Sequence, residues 1–337
     1  MRRRDFLFGT LASVVYVACG SDDPENPGGS SGLPGKDGGT TSSGGVDGGP
    51  VEPVNPTSTP EIADKFFPQG LASGDPKPDR VILWTRVEPT ALGKKASEAI
   101  TLTYIVASDA DLKTIVARGE IPAEPGVDHT IRIAPVGLKP STTYYYRFEV
   151  GTNTTRVGRT KTAPSADDPR KINFAFTTCQ DYVGRYYHAW RALLDQQLDL
   201  DFVMFLGDYV YETVNDTRFQ SPTEDRKIKV PDGRDISEKQ DGSVIAAGTL
   251  ADYRTLYKTV RQDPDLKEAH RLYAFISVWD DHEFANDCWQ DHSTDFNEKD
   301  PKTGGYFTEQ TTQRRQDASE AWAEYMPADV KWTKGAA

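Results

Sequence analysis

The apolar residues in the first part of the chain occur in short runs. Such runs span residues 81–87, 100–108, 129–136 and 142–150, and Pro, Gly and Asp separate them. They are rich in Val, Ile, Thr and Tyr, the residues that favour a pleated, half-buried strand. The spacing predicts a small antiparallel sandwich, which we assign to residues 63–165.

From residue 171 the pattern changes to alternating strands and helices. Apolar strand patterns at 171–178, 202–207 and 273–279 are separated by helical patterns at 185–197 and 250–262. This order predicts parallel strands joined by helical crossovers, as in α/β proteins. The fold class expected is therefore mixed, with an all-β sandwich followed by an α/β domain at 170–337.

Polar clusters follow each of the three predicted parallel strands. They are Cys179-Gln180, the stretch 207–212 and the stretch 280–283. Ligands collect beyond the carboxyl ends of strands in such sheets, so we expect a metal centre there. The Asp208 carboxylate could bridge two cations, and a Tyr211 phenolate would need a strongly acidic ion such as Fe³⁺. Two close metals stabilise an in-line displacement at phosphorus, which predicts phosphoester hydrolysis.

The N-terminus has the features of an export signal. Arg2 to Leu7 fit the twin-arginine pattern, and an apolar run from Phe6 to Ala18 is too short for a comfortable membrane span. Cys19 lies where a lipoprotein box would place a lipidated cysteine, and lipidation and simple cleavage both stay open. We expect a signal at 1–19 and a disordered Gly/Ser/Pro-rich linker at 20–62. The protein would then be periplasmic, extracellular or lipid-anchored at the cell envelope, with the twin-arginine export machinery as a partner.

The charge of the chain limits its ligands. The 337 residues carry a net charge of −12, and no basic stripe is visible. This argues against binding to a nucleic-acid backbone. Anionic substrates would need metal ions to draw them in. We expect a monomer.

Five ordered blocks, at 69–87, 176–190, 200–212, 250–270 and 278–287, resemble PhoD-type alkaline phosphatase/phosphodiesterases. The likeness covers most of the chain from about residue 66 to 326. It implies a fibronectin III-like N-terminal domain, which the stretch 138–150 also resembles. A calcineurin-like metallophosphoesterase domain would follow, with two sheets flanked by helices. It also implies a centre of Fe³⁺ with Ca²⁺ and a phosphate mono- or diester substrate; Zn²⁺ or Mn²⁺ could occupy similar ligands.

The resemblance also implies roles for individual residues. Cys179 and Tyr211 would bind iron, and Asp208 would bridge the metals. Asp281 would bind the second metal, with Asn286 as a weaker ligand candidate. The catalytic residues would be Asp208 and His282, the latter facing the phosphate as proton donor or charge stabiliser.

Structural alternatives exist for several of these residues. Cys179 could form a disulfide with Cys288, Asp208 could cap a helix or turn, and Tyr211 could be a surface aromatic residue. Asp280 and Asp281 would point to opposite faces if their strand continued, so only one could bind metal. Four other histidines are expected to be packed, solvated or structural: His129, His188, His270 and His292.

One feature argues against an intact enzyme. The wider superfamily completes its metal centres with late histidines, whereas the last histidine here is His292. We therefore expect a catalytic domain incomplete at its C-terminus, and an open apolar sheet edge. The alternative function is an inactive exported fragment or surface-binding module. The polar stretch 213–249 is expected to be a mobile lid or rim.

Overall fold

The computed structural model describes residues 57–217, 220, 223, 225–237, 241–294 and 309–331. The predicted signal with Cys19, and all but the end of the predicted linker 20–62, lie outside these residues. Among the described residues, none of the helices combines the length and apolar character that a membrane span requires.

The described strands are short, and most have two to five residues. They are β1 Leu71–Gly74, β2 Ile82–Arg86, β3 Ile100–Ala107, β4 Ile115–Ala123, β5 Thr130–Ile133, β6 Thr143–Val150, β7 Asn153–Thr154, β8 Gly158–Lys161, β9 Phe174–Thr177, β10 Phe202–Phe205, β11 Thr213–Val214, β12 Arg234–Asp235, β13 Ile245–Ala246, β14 Ala274–Ser277, β15 His292–Ser293 and β16 Glu309–Gln310. The described α-helices are α1 Pro60–Phe66, α2 His188–Asp195, α3 Leu250–Val260, α4 Pro264–Leu272 and α5 Thr312–Tyr325.

The parallel part of the fold agrees with the sequence pattern. β10 pairs in parallel with β9 on one side and with β14 on the other. Val203, Phe205 and Phe275 are buried on this sheet, which explains why its central strands are apolar. The mixed α/β character is therefore confirmed.

The strands of the predicted sandwich divide between two sheets, which their spacing did not indicate. β1, β2 and β5 join the parallel strands in a six-stranded sheet of order β5-β2-β1-β14-β10-β9. A second sheet has the order β4-β3-β6-β7, with β8 also paired to β6. β1 can enter the larger sheet because its four residues are all buried and because it pairs in parallel with β14. The fibronectin-like character of this part stays a prediction.

Local sequence signals explain where the helices begin. Thr249 accepts from the backbone N–H of Asp252, whose side chain accepts in turn from the Thr249 N–H, and this capping box starts α3. Asp263 caps α4, which begins with Pro264. α2 is shorter than predicted, with Trp190 as its buried residue.

The helix α5, which the sequence pattern did not predict, packs against α3 and is anchored to the larger sheet. The Trp84 indole donates to the carbonyl of Glu324 at 2.7 Å, and Arg132 donates to the carbonyls of Ala323 at 2.6 Å and Val330 at 3.0 Å. The carbonyls of Ala323 and Glu324 belong to the last turn of α5, where carbonyl groups have no partner within the helix.

Two other expectations concern surface segments. The stretch 213–249 contains a three-stranded sheet of order β11-β13-β12 rather than only irregular loop. β9 forms one edge of the six-stranded sheet, where Phe174 and Phe176 are 48% and 70% exposed. The described residues therefore leave an apolar sheet edge open, as expected.

Candidate metal centre

Backbone hydrogen bonds hold the loops after β9 and β10 side by side. Beyond the ends of these strands, the N–H of Cys179 donates to the carbonyl of Gly207, and the N–H of Gln180 donates to the carbonyl of Asp208, both at 3.1 Å. This pairing brings a thiol and a carboxylate to the same edge of the sheet.

Both of these residues have an unusual backbone conformation. The φ angles of Cys179 and Asp208 are +58° and +56°. A left-handed conformation in a residue other than glycine costs about 1–3 kcal/mol, and such residues cluster at functional sites. Gly207 lies so close to Asp280 that a Cβ atom would stand 2.5 Å from the Asp280 Cβ. A glycine is therefore required at this contact between the loop after β10 and the loop after β14.

Five of the predicted side chains lie together at these strand ends. Ligand atoms of Asp208, Asp281 and His282 all lie within 4.8 Å of one another. The Tyr211 phenol donates to Asp208 Oδ2 at 3.3 Å, and its ring centroid lies 4.3 Å from that of His282. The Cys179 thiol lies near enough to Asp208 and Tyr211 for both to influence its pKa, and its sulfur lies 3.3 Å from the Thr178 hydroxyl.

Asn286 is placed differently. It is exposed, its side-chain amide donates to Asp287 at 3.0 Å, and its backbone N–H donates to Glu212 at 2.6 Å. Within the described part of the chain, no hydrogen bond joins its side chain to Asp208, Asp281 or His282. The role of Asn286 as a ligand therefore stays a prediction.

The donor set fits a metal ion. Asp208 Oδ1 is buried and has no hydrogen-bond partner among the described residues. A buried carboxylate oxygen without a partner is costly, and a cation would satisfy it. The neighbouring thiol, phenol, carboxylate and imidazole are all groups that bind metal ions.

The electrostatics of the group reflect burial and like charge. Burial, reinforced by the charge of Asp208, raises the pKa of the Cys179 thiol and raises that of the Tyr211 phenol strongly. Burial also raises the pKa of Asp208. For His282, burial opposes the charged form, but the hydrogen bond to Glu212 and its negative charge outweigh it and raise the pKa to about 9.

Sequence reasoning gave no role to Glu212, although it lies in one of the quoted polar clusters. Its carboxylate is fully buried and accepts from His282 Nδ1 at 2.8 Å and from the backbone N–H of Asn286. It therefore fixes the ring of His282 and links the loop after β10 to the loop after β14.

Glu283 was also missed. It is fully buried and accepts from the backbone N–H groups of Asp208 at 3.1 Å, Tyr209 at 2.7 Å and Asp280 at 2.7 Å. The available signal was a carboxylate placed directly before the apolar pair Phe284-Ala285. An acidic residue in such a position needs donors, and loop N–H groups supply them.

One of the alternatives is wrong, and the condition of another is not met. Cys179 and Cys288 are both free thiols, so no disulfide joins them. The Cys288 sulfur instead lies 3.7 Å from an Arg315 guanidinium nitrogen. The strand β14 ends at Ser277, so the strand alternation invoked for Asp280 and Asp281 does not apply.

The other histidines lie away from the group. His270 is buried against the Tyr209 hydroxyl at 2.8 Å, and His129 is buried 2.9 Å from the carbonyl of Glu98. His188 is exposed and stacks on Tyr186, whereas His292 is half-buried beside Trp289. Structural roles fit these contacts.

Fold and site together define an α/β protein with a candidate metal centre at the carboxyl ends of parallel strands. The sequence model for the PhoD-like phosphatase matches residues 174–336, and that for the N-terminal domain of PhoD-like phosphatases matches residues 54–164. The chain belongs to the family of PhoD-like phosphatases.

Individual relatives agree with this family. Alkaline phosphatase D of Bacillus subtilis (strain 168) is 35% identical over 277 residues, which are 81% of this chain and 43% of that protein. A solved structure of PhoD matches with a TM-score of 0.63 at 31% identity, over 79% of this chain and 47% of that one. The chain thus spans less than half the length of these relatives.

Proposed function

We propose that this chain carries out metal-dependent hydrolysis of phosphate esters, as an alkaline phosphatase or phosphodiesterase. The observation that carries the proposal is the unpartnered, buried Asp208 Oδ1 within a group of metal-binding side chains. Membership of the PhoD-like phosphatase family supports the same reaction.

In this proposal each side chain of the group has one role. Cys179 and Tyr211 would hold Fe³⁺, Asp208 would be a ligand shared by both metals, and Asp281 would hold Ca²⁺ as the second metal; Zn²⁺ or Mn²⁺ would suit similar ligands. When bound, the metal pair stabilises the charge that develops at phosphorus and lowers the pKa of a water molecule. Asn286 stays a candidate ligand through its side-chain oxygen, since its bond to Asp287 uses the side-chain nitrogen.

The remaining residues orient the site. Because Glu212 engages Nδ1 of His282, the Nε2 atom is left to meet the phosphoryl group or the leaving oxygen. A proton held there would stabilise developing charge or pass to the leaving group. Glu283 fixes the Asp208 backbone, so that the carboxylate is in place before substrate binds.

Export belongs to the same proposal. The twin-arginine pattern would direct the chain out of the cytoplasm, and Cys19 would give a lipid anchor if it is modified. A phosphatase outside the cytoplasm would release phosphate from esters in the envelope or the medium.

The test is hydrolysis of a generic phosphomonoester and a generic phosphodiester by the purified chain, loaded with Fe³⁺ and Ca²⁺. We expect turnover that Cys179→Ala and Asp208→Asn abolish. Asp167→Asn, which changes an exposed carboxylate in the connection between the β and α/β regions, should leave it unchanged. Equal activity in all four proteins would reject the proposed site. Metal binding without turnover would instead favour the non-catalytic surface module.

A further inference from the structure

A pocket of about 340 Å³ opens beside the candidate metal centre. Cys179 and Tyr211 form one side of it, and residues of the loop and helix that follow β9 form the other, including Arg185, Tyr186 and Trp190. A molecule that reaches Cys179 and Tyr211 through this pocket must pass Arg185, Tyr186 and Trp190.

Arg185 is the only cationic side chain that lines this pocket among the described residues. It is exposed, and within the described ranges its guanidinium takes part in no ion pair. Its Nη1 donates to the carbonyl of Gly184 at 2.7 Å. It is also close enough to Asp181 to lower the pKa of that carboxyl, although burial raises that pKa overall.

Another arginine, Arg226, makes the structural contacts that hold the segment around Arg185. Arg226 is buried, pairs with Asp263 at 2.9 Å and lies 4.1 Å from the ring centroid of Tyr182. It also lies over the rings of Tyr186 and Tyr187. These contacts hold the segment 182–187 in place, whereas the side chain of Arg185 lines the pocket and is exposed.

The surroundings make an unpaired cation here unusual. The chain has a net charge of −12, and Asp208, Asp281 and Glu212 add negative charge at the site itself. An anionic ester that approaches this edge is repelled unless a cation meets it. A guanidinium presents a planar fork of donors that matches two phosphoryl oxygens.

We propose that Arg185 binds the non-bridging oxygens of the substrate's phosphoryl group, as a residue that determines affinity and specificity. The inference rests on the proposed function, because it names a residue with which that site binds its phosphate ester. The interaction is stronger with a monoester dianion than with a diester monoanion, since the attraction scales with the charge of the ligand. Arg185 therefore biases the site towards monoesters and retains inorganic phosphate.

The test uses Arg185→Gln, with Arg118→Gln as the matched control. Arg118 is exposed on β4, so its removal changes the net charge equally. Inorganic phosphate is titrated into each protein by calorimetry, with and without added metals, and KM is measured for a monoester and a diester. We expect Arg185→Gln to raise the Kd for phosphate and the monoester KM by at least about tenfold. The diester KM should rise less, and Arg118→Gln should match the wild type.

Arg185→Lys keeps the positive charge but lacks the planar guanidinium. Its Kd for phosphate and its monoester KM should lie between those of the wild type and Arg185→Gln. Unchanged Kd and KM in Arg185→Gln would overturn the role while the hydrolysis itself stands. If the wild-type protein binds no metal, the proposed function fails, and the phosphate titration of the metal-free protein still decides the role of Arg185. If the wild-type protein does not bind phosphate, the proposed role of Arg185 is overturned.

Discussion

The imidazole of His282 is held by Glu212, with Nδ1 2.8 Å from Oε2 of a carboxylate that has no exposed surface. Glu212 comes from the loop after β10, and His282 comes from the loop after β14. One hydrogen bond therefore fixes the ring and joins two of the three loops that form the site. Carboxylate partners of this kind set the tautomer and orientation of functional histidines.

Glu212→Gln should lower kcat for ester hydrolysis by ~10–100-fold, the usual cost of losing a partner that orients a metal-site group. The amide keeps the size of the side chain but loses the charge, and one of its two polar atoms can no longer accept. Metal content should fall far less than in Asp208→Asn. Steady-state kinetics combined with metal analysis measures both. A Glu212→Gln enzyme with unchanged kcat would show that the orientation of His282 does not limit the reaction.

Glu283→Gln should lower the free energy of unfolding by about 1–3 kcal/mol, because three backbone N–H groups then face an amide that cannot accept from all of them. Denaturant unfolding of the metal-free protein isolates this effect from metal binding. Glu120→Gln, on the exposed face of β4, is the control and should change stability by less than about 0.5 kcal/mol. Equal unfolding curves for the two variants would mean that these hydrogen bonds contribute little.

The sequence indicated which side chains lie close together better than it indicated how the strands around them pair. Cys179, Asp208, Tyr211, Asp281 and His282 each follow a strand in the chain, and parallel strands bring such positions to one edge. Glu212 and Glu283 could not be assigned in this way, since their partners are backbone groups and a ring from other loops. Their role depends on loop conformations that a linear pattern does not contain.

The entry of β1, β2 and β5 into the larger sheet could not be predicted either. The apolar runs indicated strands but carried no information about which strand each would pair with. The pairing of β1 with β14 joins positions about 200 residues apart, at Ser73 and Ala274. The left-handed backbone conformation of Asp208 could not be predicted from the sequence either, because it depends on the conformation of the surrounding loop.

Asp201 should make stability depend on pH in the acidic range. It accepts from Arg170 and Asn173 and pairs with Lys161 at 2.8 Å. Burial favours its neutral form, but these partners outweigh burial and lower the pKa below 3.8. Its stabilisation is therefore present above the unfolded-state pKa and is lost as the pH falls through the lower folded-state value.

Asp201→Asn should thus reduce the free energy of unfolding at pH 7 by about 1.5–3 kcal/mol, with the difference from wild type shrinking below about pH 4. Chemical unfolding at a series of pH values from 7 to 3 gives the two curves. Asp167→Asn serves again as an exposed control. A difference that stays constant over the whole range would show that the charge of Asp201 is not what stabilises the fold.

The most direct measurement of the central claim is the visible absorption spectrum of the iron-loaded protein beside that of Tyr211→Phe. A tyrosinate bound to Fe³⁺ gives a charge-transfer band in the visible range, and phenylalanine cannot bind the ion. The account predicts this band in the wild type and its loss in Tyr211→Phe, where only the charge-transfer absorption of the Cys179 thiolate on iron would remain. A wild-type protein that binds iron without the band, or an identical band in Tyr211→Phe, would contradict the assignment of Tyr211 and the metal centre built around it.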